Sequence, residues 1–434
     1  MTVLYLLSDI SHPPEEGFLT VTMFKIHLVW IVLFQLHHLE LCSAQGKKFV
    51  CSYSPTKATQ IGYQPDYIPL EVCPYVIVKA FSFPSVVGRQ MLFSDNDKIA
   101  FSRVVSSVRK RSSTVRVVAS IDGYARDFTI TSSAIVRRKA FVQAAVTLLL
   151  ELDADAVELN WMSPGNSGVA SGDGLDRITM VQLLQDLRQA VNAASKNIPN
   201  RQRELWFRGS LHPNVIDSAY NMLDLCELVD HVTLDPNTAE SLENAHAPLR
   251  GTPQALPVQI PILTQIFGDV IEPGTGFNTT TQRWINAGCP PKKLLLGIGL
   301  HGIRKAYSPG LRSFLGDRIG LDTADTRYLE HRELCKTLRE DGWNYAWDGY
   351  GGMPYVTRAL QNGQMERISY EDLDSLRLKM DMVEQKRFGG IYIDYVHSDD
   401  IYGRCGQPYL MIAYLSSRVR SIPSDIGFAI EWNQ

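Results

Sequence analysis

Short runs of aliphatic and β-branched residues recur along the chain and alternate with stretches in which apolar residues follow helical spacing. This alternation predicts βα units and a parallel sheet. Eight parallel strands joined by crossovers fit a closed (β/α)8 barrel, whose active sites lie at the carboxyl ends of the strands. We therefore predict the α/β class and a TIM barrel. The eight strand-like runs are Lys48–Tyr53, Tyr75–Phe81, Val115–Ile121, Ala156–Trp161, Leu205–Ser210, His231–Asp235, Leu294–Leu300 and Gly390–Tyr395.

The interval between the seventh and eighth runs is, at about eighty residues, far longer than one crossover helix requires. It is polar and contains strand-like pieces at Trp343–Trp347 and Met365–Ser369. We predict an inserted α+β module at about residues 302–387. It would belong to one domain that spans residues 45–434.

The first residues call for a different interpretation. Met23–Lys25 precedes the mostly apolar segment Ile26–Leu41, which ends at the small residues of Cys42–Ala44. This is the layout of a secretory signal, with a membrane anchor or a buried helix as the alternative. We expect residues 23–44 to be a signal peptide and the mature protein to be secreted into the extracellular space. Translation from Met23 would explain why residues 1–22 lie upstream of a signal.

Composition narrows the classes of function. Of the 434 residues, 45% are hydrophobic and 21% are charged, as is typical of a globular protein. The net charge of −3 gives no broad basic surface for nucleic acid. No apolar run after the signal is long and clean enough to span a membrane. No Cys-x-x-Cys pair or histidine-rich cluster indicates a metal site. We expect a monomer without metal or cofactor.

The strand-like run that ends at Met162 carries polar residues on one face. Because alternate residues of a strand share a face, Glu158, Asn160 and Met162 project one way and Trp161 the other. Polar groups along one face of an apolar strand are costly unless that face opens on water or on a site. We therefore expect a site beside this strand and place Trp161 in the packing against the outer helices.

The stretch from Asp155 to Pro164 resembles the signature strand of the glycoside hydrolase family 18 chitinases, Asp-Gly-x-Asp-x-Asp-x-Glu followed by Tyr-Pro. The resemblance covers nearly all of the chain from about Lys47 onward and includes the inserted α+β module. Further segments match the family in the same order. They are Phe49–Cys51, Val76–Phe81, Ser120–Tyr124, His246–Leu249, Lys293–Ile298, Phe388–Gly390 and Asp399–Asp400.

The resemblance implies a degenerate catalytic site. The family uses substrate-assisted hydrolysis, in which the last Glu of the signature protonates the leaving oxygen and the preceding Asp orients the substrate acetamide. Met162 stands at the position of the acid, and a thioether has no proton to donate. Asn160 replaces the orienting Asp, Glu158 replaces the inner Asp, and Ser163 replaces the Tyr. The family's general acid is therefore missing, and we predict that the protein is not a working chitinase.

The sugar-binding positions are also changed. The resemblance places Asp394 where the family has a Trp that stacks under the sugar, and Asn237 near a family Tyr. Tyr124 can still stack on a sugar, although for Phe81 and Tyr124 packing in the core or at the rim is an equal alternative. The ligand-binding candidates are Phe81, Asp122, Tyr124, Asp235, Asn237 and Asp394.

Six cysteines remain once Cys42 leaves with the signal, and six cysteines allow fifteen pairings. The resemblance implies two of the pairs: Cys51 with Cys73, and Cys335 with Cys405. For Cys226 and Cys289, a disulfide and two buried free thiols are equal alternatives. Asn278–Thr280 is a glycosylation sequon that we expect on an exposed loop.

We predict a secreted, catalytically inactive chitinase-like protein that binds chitin, a chito-oligosaccharide or another glycan, or signals through a protein receptor. One alternative is a hydrolase that uses the displaced carboxylates Asp122, Glu158 and Asp394, which could also hold a hard divalent cation. The simpler interpretation of these carboxylates is ordinary hydrogen-bonded rim residues. A second alternative is a protein-interaction scaffold with a vestigial cleft.

Overall fold

The structure is a computed structural model that describes residues 46–165, 173–196, 202–239, 245–250, 254–255, 270–271, 276–307, 326–404 and 406–422. The predicted signal at 23–44, the upstream residues 1–22 and Cys405 lie outside these ranges. Within them no helix is long and apolar enough to cross a bilayer.

The described strands follow the chain with these bounds: β1 Lys48–Tyr53, β2 Tyr75–Ser82, β3 Ser85–Val87, β4 Gln90–Leu92, β5 Arg116–Tyr124, β6 Ala156–Met162, β7 Glu204–Ser210, β8 His231–Asp235, β9 Gln254–Ala255, β10 Val270–Ile271, β11 Leu294–Gly299, β12 His301–Tyr307, β13 Arg327–Glu330, β14 Asn344–Asp348, β15 Met353–Ala359, β16 Met365–Ser369 and β17 Gly390–Asp394. The described α-helices are α1 Pro55–Gln60, α2 Asp95–Arg111, α3 Ala125–Ser133, α4 Ile135–Leu150, α5 Asp176–Lys196, α6 Pro213–Ala219, α7 Met222–Leu228, α8 Phe277–Asn286, α9 His331–Leu338, α10 Leu373–Gln385 and α11 Leu410–Ser421.

Eight strands close into a barrel in the order β1-β17-β11-β8-β7-β6-β5-β2. Every neighbouring pair in it is parallel. Each strand-like run of the sequence overlaps one of these strands, so the predicted TIM barrel is confirmed. Parallel strands are covered on both faces, which explains why they appear as short continuous apolar runs.

A second sheet lies in the chain between β11 and β17. It has five antiparallel strands in the order β13-β12-β16-β15-β14, and helix α9 connects β13 to β14. Leu329, Leu334, Val356 and Ile368 form its own small core. The predicted α+β insertion between the seventh and eighth barrel strands is therefore present.

Local sequence signals account for two of the helices. Helix α2 begins with Asp95 and Asp97 and ends with basic residues, which suits the dipole of a helix. Helix α10 begins with a capping box, in which Asp372 accepts from the Ser375 amide at 2.8 Å and donates its own amide to the Ser375 hydroxyl at 2.9 Å.

The barrel strands separate two apolar regions. The larger lies between strands and helices, where Trp161 is buried and stacks on Phe128 with ring centroids 5.0 Å apart. The predicted outward direction of Trp161 is thereby confirmed. The smaller region fills the lower barrel interior and includes Val50, Trp206 and Tyr392. Above it, toward the carboxyl ends of the strands, the interior is charged.

Two disulfides tie the described residues together. One joins Cys51 in β1 to Cys73, as the resemblance implies. The other joins Cys226 in α7 to Cys289, which resolves the open choice between a bond and free thiols. The second closes a span of 63 positions, and restricting a loop of that size in the unfolded chain is worth about 4 kcal/mol.

Candidate functional site

The carboxyl ends of six barrel strands bring polar and charged side chains together at one mouth of the barrel. This end of a TIM barrel is where catalytic groups lie in enzymes. We call this group the mouth network and define it by these residues: Lys79, Asp122, Glu158, Asn160, Arg208, Thr233, Asp235, Asn237 and Asp394.

Glu158 is the deepest member of the mouth network. It is fully buried and accepts a bond at 2.9 Å from Arg208, while its other oxygen accepts from the Thr233 hydroxyl. Burial would lower the pKa of the Arg208 guanidinium, but Glu158 and other acidic groups hold that pKa well above its usual value. Each carboxylate oxygen of Glu158 thus accepts a hydrogen bond, and the carboxylate serves as a buried counter-ion for Arg208.

Asn160 lies opposite Asp122 in the register of β5 and β6. Its side-chain amide donates to the Asp122 carboxylate at 2.9 Å. Two positions further along both strands, half-buried Met162 lies opposite Tyr124, which is 73% exposed. Ser163 then takes a left-handed backbone conformation with φ of 54°, which is uncommon outside glycine. Tyr124 therefore offers an open ring beside Met162.

Asp394 ends β17 and forms a buried ion pair with Lys79 of β2. Its second oxygen accepts from the Asn237 amide at 2.7 Å. Burial alone would raise the pKa of Asp394, but Lys79, Arg208 and the Asn237 hydrogen bond hold it well below its usual value. Asp394 is therefore a fixed anion rather than a proton donor.

Asn237 links two carboxylates across the mouth. Its side-chain amide also donates to Asp235 at 3.1 Å, and its backbone amide donates to the same oxygen at 3.0 Å. Burial raises the pKa of the Asp235 carboxyl, and nearby Asp394 adds to the rise although Arg208 and Lys79 oppose it. Relative to an ordinary aspartate, the pKa of Asp235 is thus raised and the pKa of Asp394 is lowered.

The chain leaves β17 at Asp394, one residue before the predicted strand end. Tyr395 has a φ of 66° and donates its amide to the Ser52 hydroxyl at 2.8 Å. The ammonium groups of Lys79 and Lys57 lie over its ring, 4.2 and 3.9 Å from the ring centroid. This turn holds Lys79 against Asp394 and places an aromatic ring where the sequence analysis assigned none.

Phe81, one of the ligand candidates, lies in the core and not at the mouth of the barrel. It is 1% exposed and packs against Phe93 and Phe101, outside the barrel wall. The pairing of β2 with β5 shifts register between Val78 and Phe81, so strict alternation fails there. Of the two alternatives, Phe81 therefore has the core-packing role.

The sequon at Asn278 lies in the first turn of α8 and not on a loop, although Asn278 itself is exposed. Gly276, at the N-terminal cap of helix α8, has a positive φ of 88°. The Thr280 hydroxyl donates to the Gly276 carbonyl at 2.8 Å within the first turn. Glycosylation of Asn278 stays a prediction, as does the pairing of Cys335 with Cys405.

Two observations concern metal ions and a small cavity near the described residues of the mouth. No group of three or more His, Cys, Asp or Glu side chains within the described ranges is arranged to bind a metal ion. A cavity lined by Asn237, His246, His301 and Tyr328 measures about 50 Å³. Ligand pockets usually measure about 300–1,000 Å³, so this cavity suits a few water molecules.

Lys79, Arg208 and Thr233 are members of the mouth network that the sequence analysis did not select. A signal for two of them is present, because Lys79 and Arg208 are single charges inside apolar runs. A charge in such a run must face a partner inside the barrel or open water. Which residue pairs with each charge depends on the order of the strands in the barrel, and the sequence of a single strand does not contain that order.

The sequence is similar to proteins of one known family. The family model described as "Glycosyl hydrolases family 18" matches residues 48–399. An endochitinase of Manduca sexta is 26% identical over 403 residues, covering 86% of this chain and 68% of the relative. An oviduct-specific glycoprotein of Sus scrofa is 23% identical over 402 residues, covering 89% and 71%.

Solved structures have the same fold. The group IV chitinase of Ostrinia furnacalis matches with a TM-score of 0.67 at 18% identity, covering 86% of this chain and all of that one. Human YKL-39, described as a pseudo-chitinase with retained chitooligosaccharide binding properties, matches with a TM-score of 0.65 at 17% identity, with coverage of 86% and 100%.

Proposed function

We propose, from the premise that this chain belongs to glycosyl hydrolase family 18, that it is a secreted chitinase-like protein that binds a chito-oligosaccharide or related glycan without cleaving it. The observation that carries this proposal is Met162 at the mouth of the barrel. It lies half-buried at the end of β6, at the position that the resemblance gives to the general acid.

Strand β6 lacks the side chains that the family's hydrolysis requires. A thioether cannot protonate a leaving oxygen, and general acid catalysis is worth about 10²–10⁴ in rate. The neighbouring Asn160 donates its amide to Asp122, and an amide cannot balance a developing positive charge. Both functions of the family's carboxylates would therefore be absent from this strand.

The displaced carboxylates are poor substitutes. Glu158 is committed to Arg208 and Thr233, and Asp394 is committed to Lys79 and Asn237. A general acid needs a raised pKa, whereas the pKa of Asp394 is held low. These contacts weigh against the alternative in which Asp122, Glu158 and Asp394 perform hydrolysis.

Glycan binding is supported by the exposed ring of Tyr124 beside the polar edge of Asp122 and Asn160. An amphipathic ring next to hydrogen-bonding groups is the common form of a site for a molecule with apolar and polar faces. YKL-39, with the same fold, is described as retaining chitooligosaccharide binding as a pseudo-chitinase. The two disulfides suit an oxidising, extracellular environment.

The test combines turnover with binding. We expect no product from a fluorogenic chito-oligosaccharide, with an active family 18 chitinase as the positive control. Chitotetraose should bind by calorimetry, and Tyr124→Ala should weaken binding about tenfold because the stacking ring is lost. Tyr67→Ala is the matched control. Tyr67 is a tyrosine that is 51% exposed and is not a member of the mouth network.

Two results would contradict the proposal. Clear turnover by the wild-type protein would restore the hydrolase alternative, and its loss in Asp394→Ala or Asp122→Ala would identify the carboxylates. No binding of any chito-oligomer would leave the scaffold alternative. An equal loss of affinity in the Tyr124 and Tyr67 variants would remove the barrel mouth as the binding site.

A further inference from the structure

The inserted module contains a basic hollow that the proposed function does not use. Its volume is about 710 Å³, and its walls come from β12, β13 and α9 together with the segment after β17. We call it the basic hollow and define it by its cationic lining: Arg304, Arg327, Arg332, Lys336, Arg339 and Arg404.

Carboxylates neutralise only part of this lining. Arg304 is paired with Glu366, and Arg332 is paired with Glu330 at 2.7 Å. Among the described residues, the acidic contact of Arg327 is a long one of 3.9 Å with Glu333. The other acidic wall residue, Glu340, is paired outside the lining set with Arg358 at 2.8 Å.

Three cations remain without a carboxylate. Among the residues that the structure describes, no ion pair involves Lys336, Arg339 or Arg404. All three are exposed. The hollow therefore has excess positive charge in a chain whose formal net charge is −3. Its charge is a local arrangement and does not follow from composition.

Helix α9 arranges its part of the lining as a stripe. Arg332, Lys336 and Arg339 are spaced by four and three positions, so they lie on one face of the helix and its end. Like charges at these spacings repel one another and destabilise a helix. The helix dipole favours cations at this end, which offsets the cost only within the last turn. An anion in the hollow would remove the repulsion.

We propose that the basic hollow binds an acidic oligosaccharide that carries sulfate groups. Its volume lies within the range of about 300–1,000 Å³ that is typical of ligand sites, and its concave shape suits a short chain better than a flat bilayer. Guanidinium groups bind tetrahedral oxyanions through paired hydrogen bonds, and flexible lysine adds a point charge. The overall negative charge disfavours a long polyanion such as nucleic acid. The choice of a sulfated glycan rests on the proposed extracellular location.

The experiment measures binding of a heparin-derived hexasaccharide by calorimetry at low and physiological salt. The test variant is Lys336→Glu/Arg339→Glu. The matched control is Arg137→Glu/Lys139→Glu, which makes the same change of charge at exposed positions of α4. We expect wild-type binding that weakens with salt, a loss of about tenfold or more in the test variant, and a change below about threefold in the control.

Folding and the proposed function are checked in the same samples. Both residues of the test variant are exposed, so its circular dichroism and its affinity for chitotetraose should stay at wild-type values. Lys336→Gln/Arg339→Gln replaces it if charge reversal unfolds α9, with a smaller loss expected. Failure of chitotetraose binding with intact hexasaccharide binding would remove only the function proposed at the barrel mouth.

Three outcomes would overturn the inference. The first is no hexasaccharide binding at low salt. The second is an equal loss in the test and control variants, which would mean general attraction by net charge. The third is full displacement of the hexasaccharide by an equal concentration of inorganic sulfate, which would mean a simple anion site.

Discussion

The two ends of the barrel both carry ion pairs, but in different surroundings. At the carboxyl end, Lys79–Asp394 and Arg208–Glu158 lie inside the barrel with side chains at most 6% exposed. At the amino end, Arg109 contacts Asp153 and Asp155 at the rim, with Arg109 itself 24% exposed. The first set fills the space where a barrel enzyme meets its substrate, and the second joins helix α2 to the segment before β6.

The free-energy cost of a charge differs between the two ends of the barrel because burial differs. Burying an ion pair costs hydration free energy, and the attraction between the two charges only about offsets that cost. Removing one partner therefore leaves a buried isolated charge, which destabilises the protein. Arg109, which is 24% exposed, keeps part of its hydration in its pairs with Asp153 and Asp155, so its removal should cost less than removal of a fully buried partner. The carboxyl end should therefore be sensitive to single substitutions and the amino end tolerant of them. The following predictions test this contrast.

The largest effect is expected from Arg208→Met. This change leaves Glu158 buried with only the Thr233 hydroxyl as partner, which should destabilise the protein by about 3–5 kcal/mol. The measurement is urea unfolding followed by fluorescence. The double variant Glu158→Met/Arg208→Met should recover most of the loss because no isolated charge remains. A loss below about 1 kcal/mol for the single variant would show that water reaches Glu158.

Asp394→Asn should cost about 2–4 kcal/mol near neutral pH, because Lys79 loses its buried counter-ion. The pKa of Asp394 is lower in the folded protein than its unfolded value of about 3.9. Its contribution is thus complete above that value and is lost as pH falls toward the folded pKa.

The stability gap between wild type and Asp394→Asn should therefore narrow as pH falls below about 4. Urea unfolding at a series of pH values measures the gap. Asp173→Asn is a control at an exposed carboxylate outside the mouth network. A gap that stays constant down to the acid limit would show that the ion pair does not control the stability difference.

At the amino end, Arg109→Ala should cost about 1–2 kcal/mol. The side chain loses contacts with the Asp155 carboxylate at 2.6 Å and the Val115 carbonyl at 2.6 Å, but Asp155 keeps its bond from the Val117 amide. Arg109→Lys should lie between wild type and Ala, since it keeps the charge without the planar fork. A cost equal to that of Arg208→Met would erase the contrast between the ends.

The smallest effect is expected from Arg116→Ala. Arg116 pairs with Glu204 at 2.9 Å but is 27% exposed, so the loss should be below about 1 kcal/mol. Adding 0.5 M salt should reduce even this difference, whereas the cost of Arg208→Met should hardly change. Thermal unfolding with and without salt measures both. Salt-insensitive loss in Arg116→Ala would contradict a screened, solvent-exposed pair.

The barrel was predictable because each strand is a local signal, and the alternation that sends Trp161 outward holds along β6. For Phe81 the sequence left the choice between cleft and core open, and a register shift between β2 and β5 decides it for the core. The prediction of a loop at the sequon was wrong, since the Thr280 hydroxyl bonds within the first turn of α8 and supports a helix there.

The mouth network was only half predictable. Asp122, Asn160 and Asp394 stand out through the family resemblance, but the cations that neutralise the site do not. Lys79 is 315 positions from Asp394 in the chain, and Arg208 is 50 from Glu158. The Lys79–Asp394 pair depends on barrel closure, because β1 lies between β2 and β17 only once β17 pairs with β1. The Arg208–Glu158 pair depends on the parallel pairing of β6 with β7.

The disulfide between Cys226 and Cys289 has a consequence for protease resistance. Exposed Arg250 lies between the two cysteines, so tryptic cleavage after it would produce two polypeptides that remain covalently joined. On a non-reducing gel the nicked protein should migrate as one species, and reduction should release both fragments. A single cut there would therefore leave β8 and β11 attached to each other and the barrel intact.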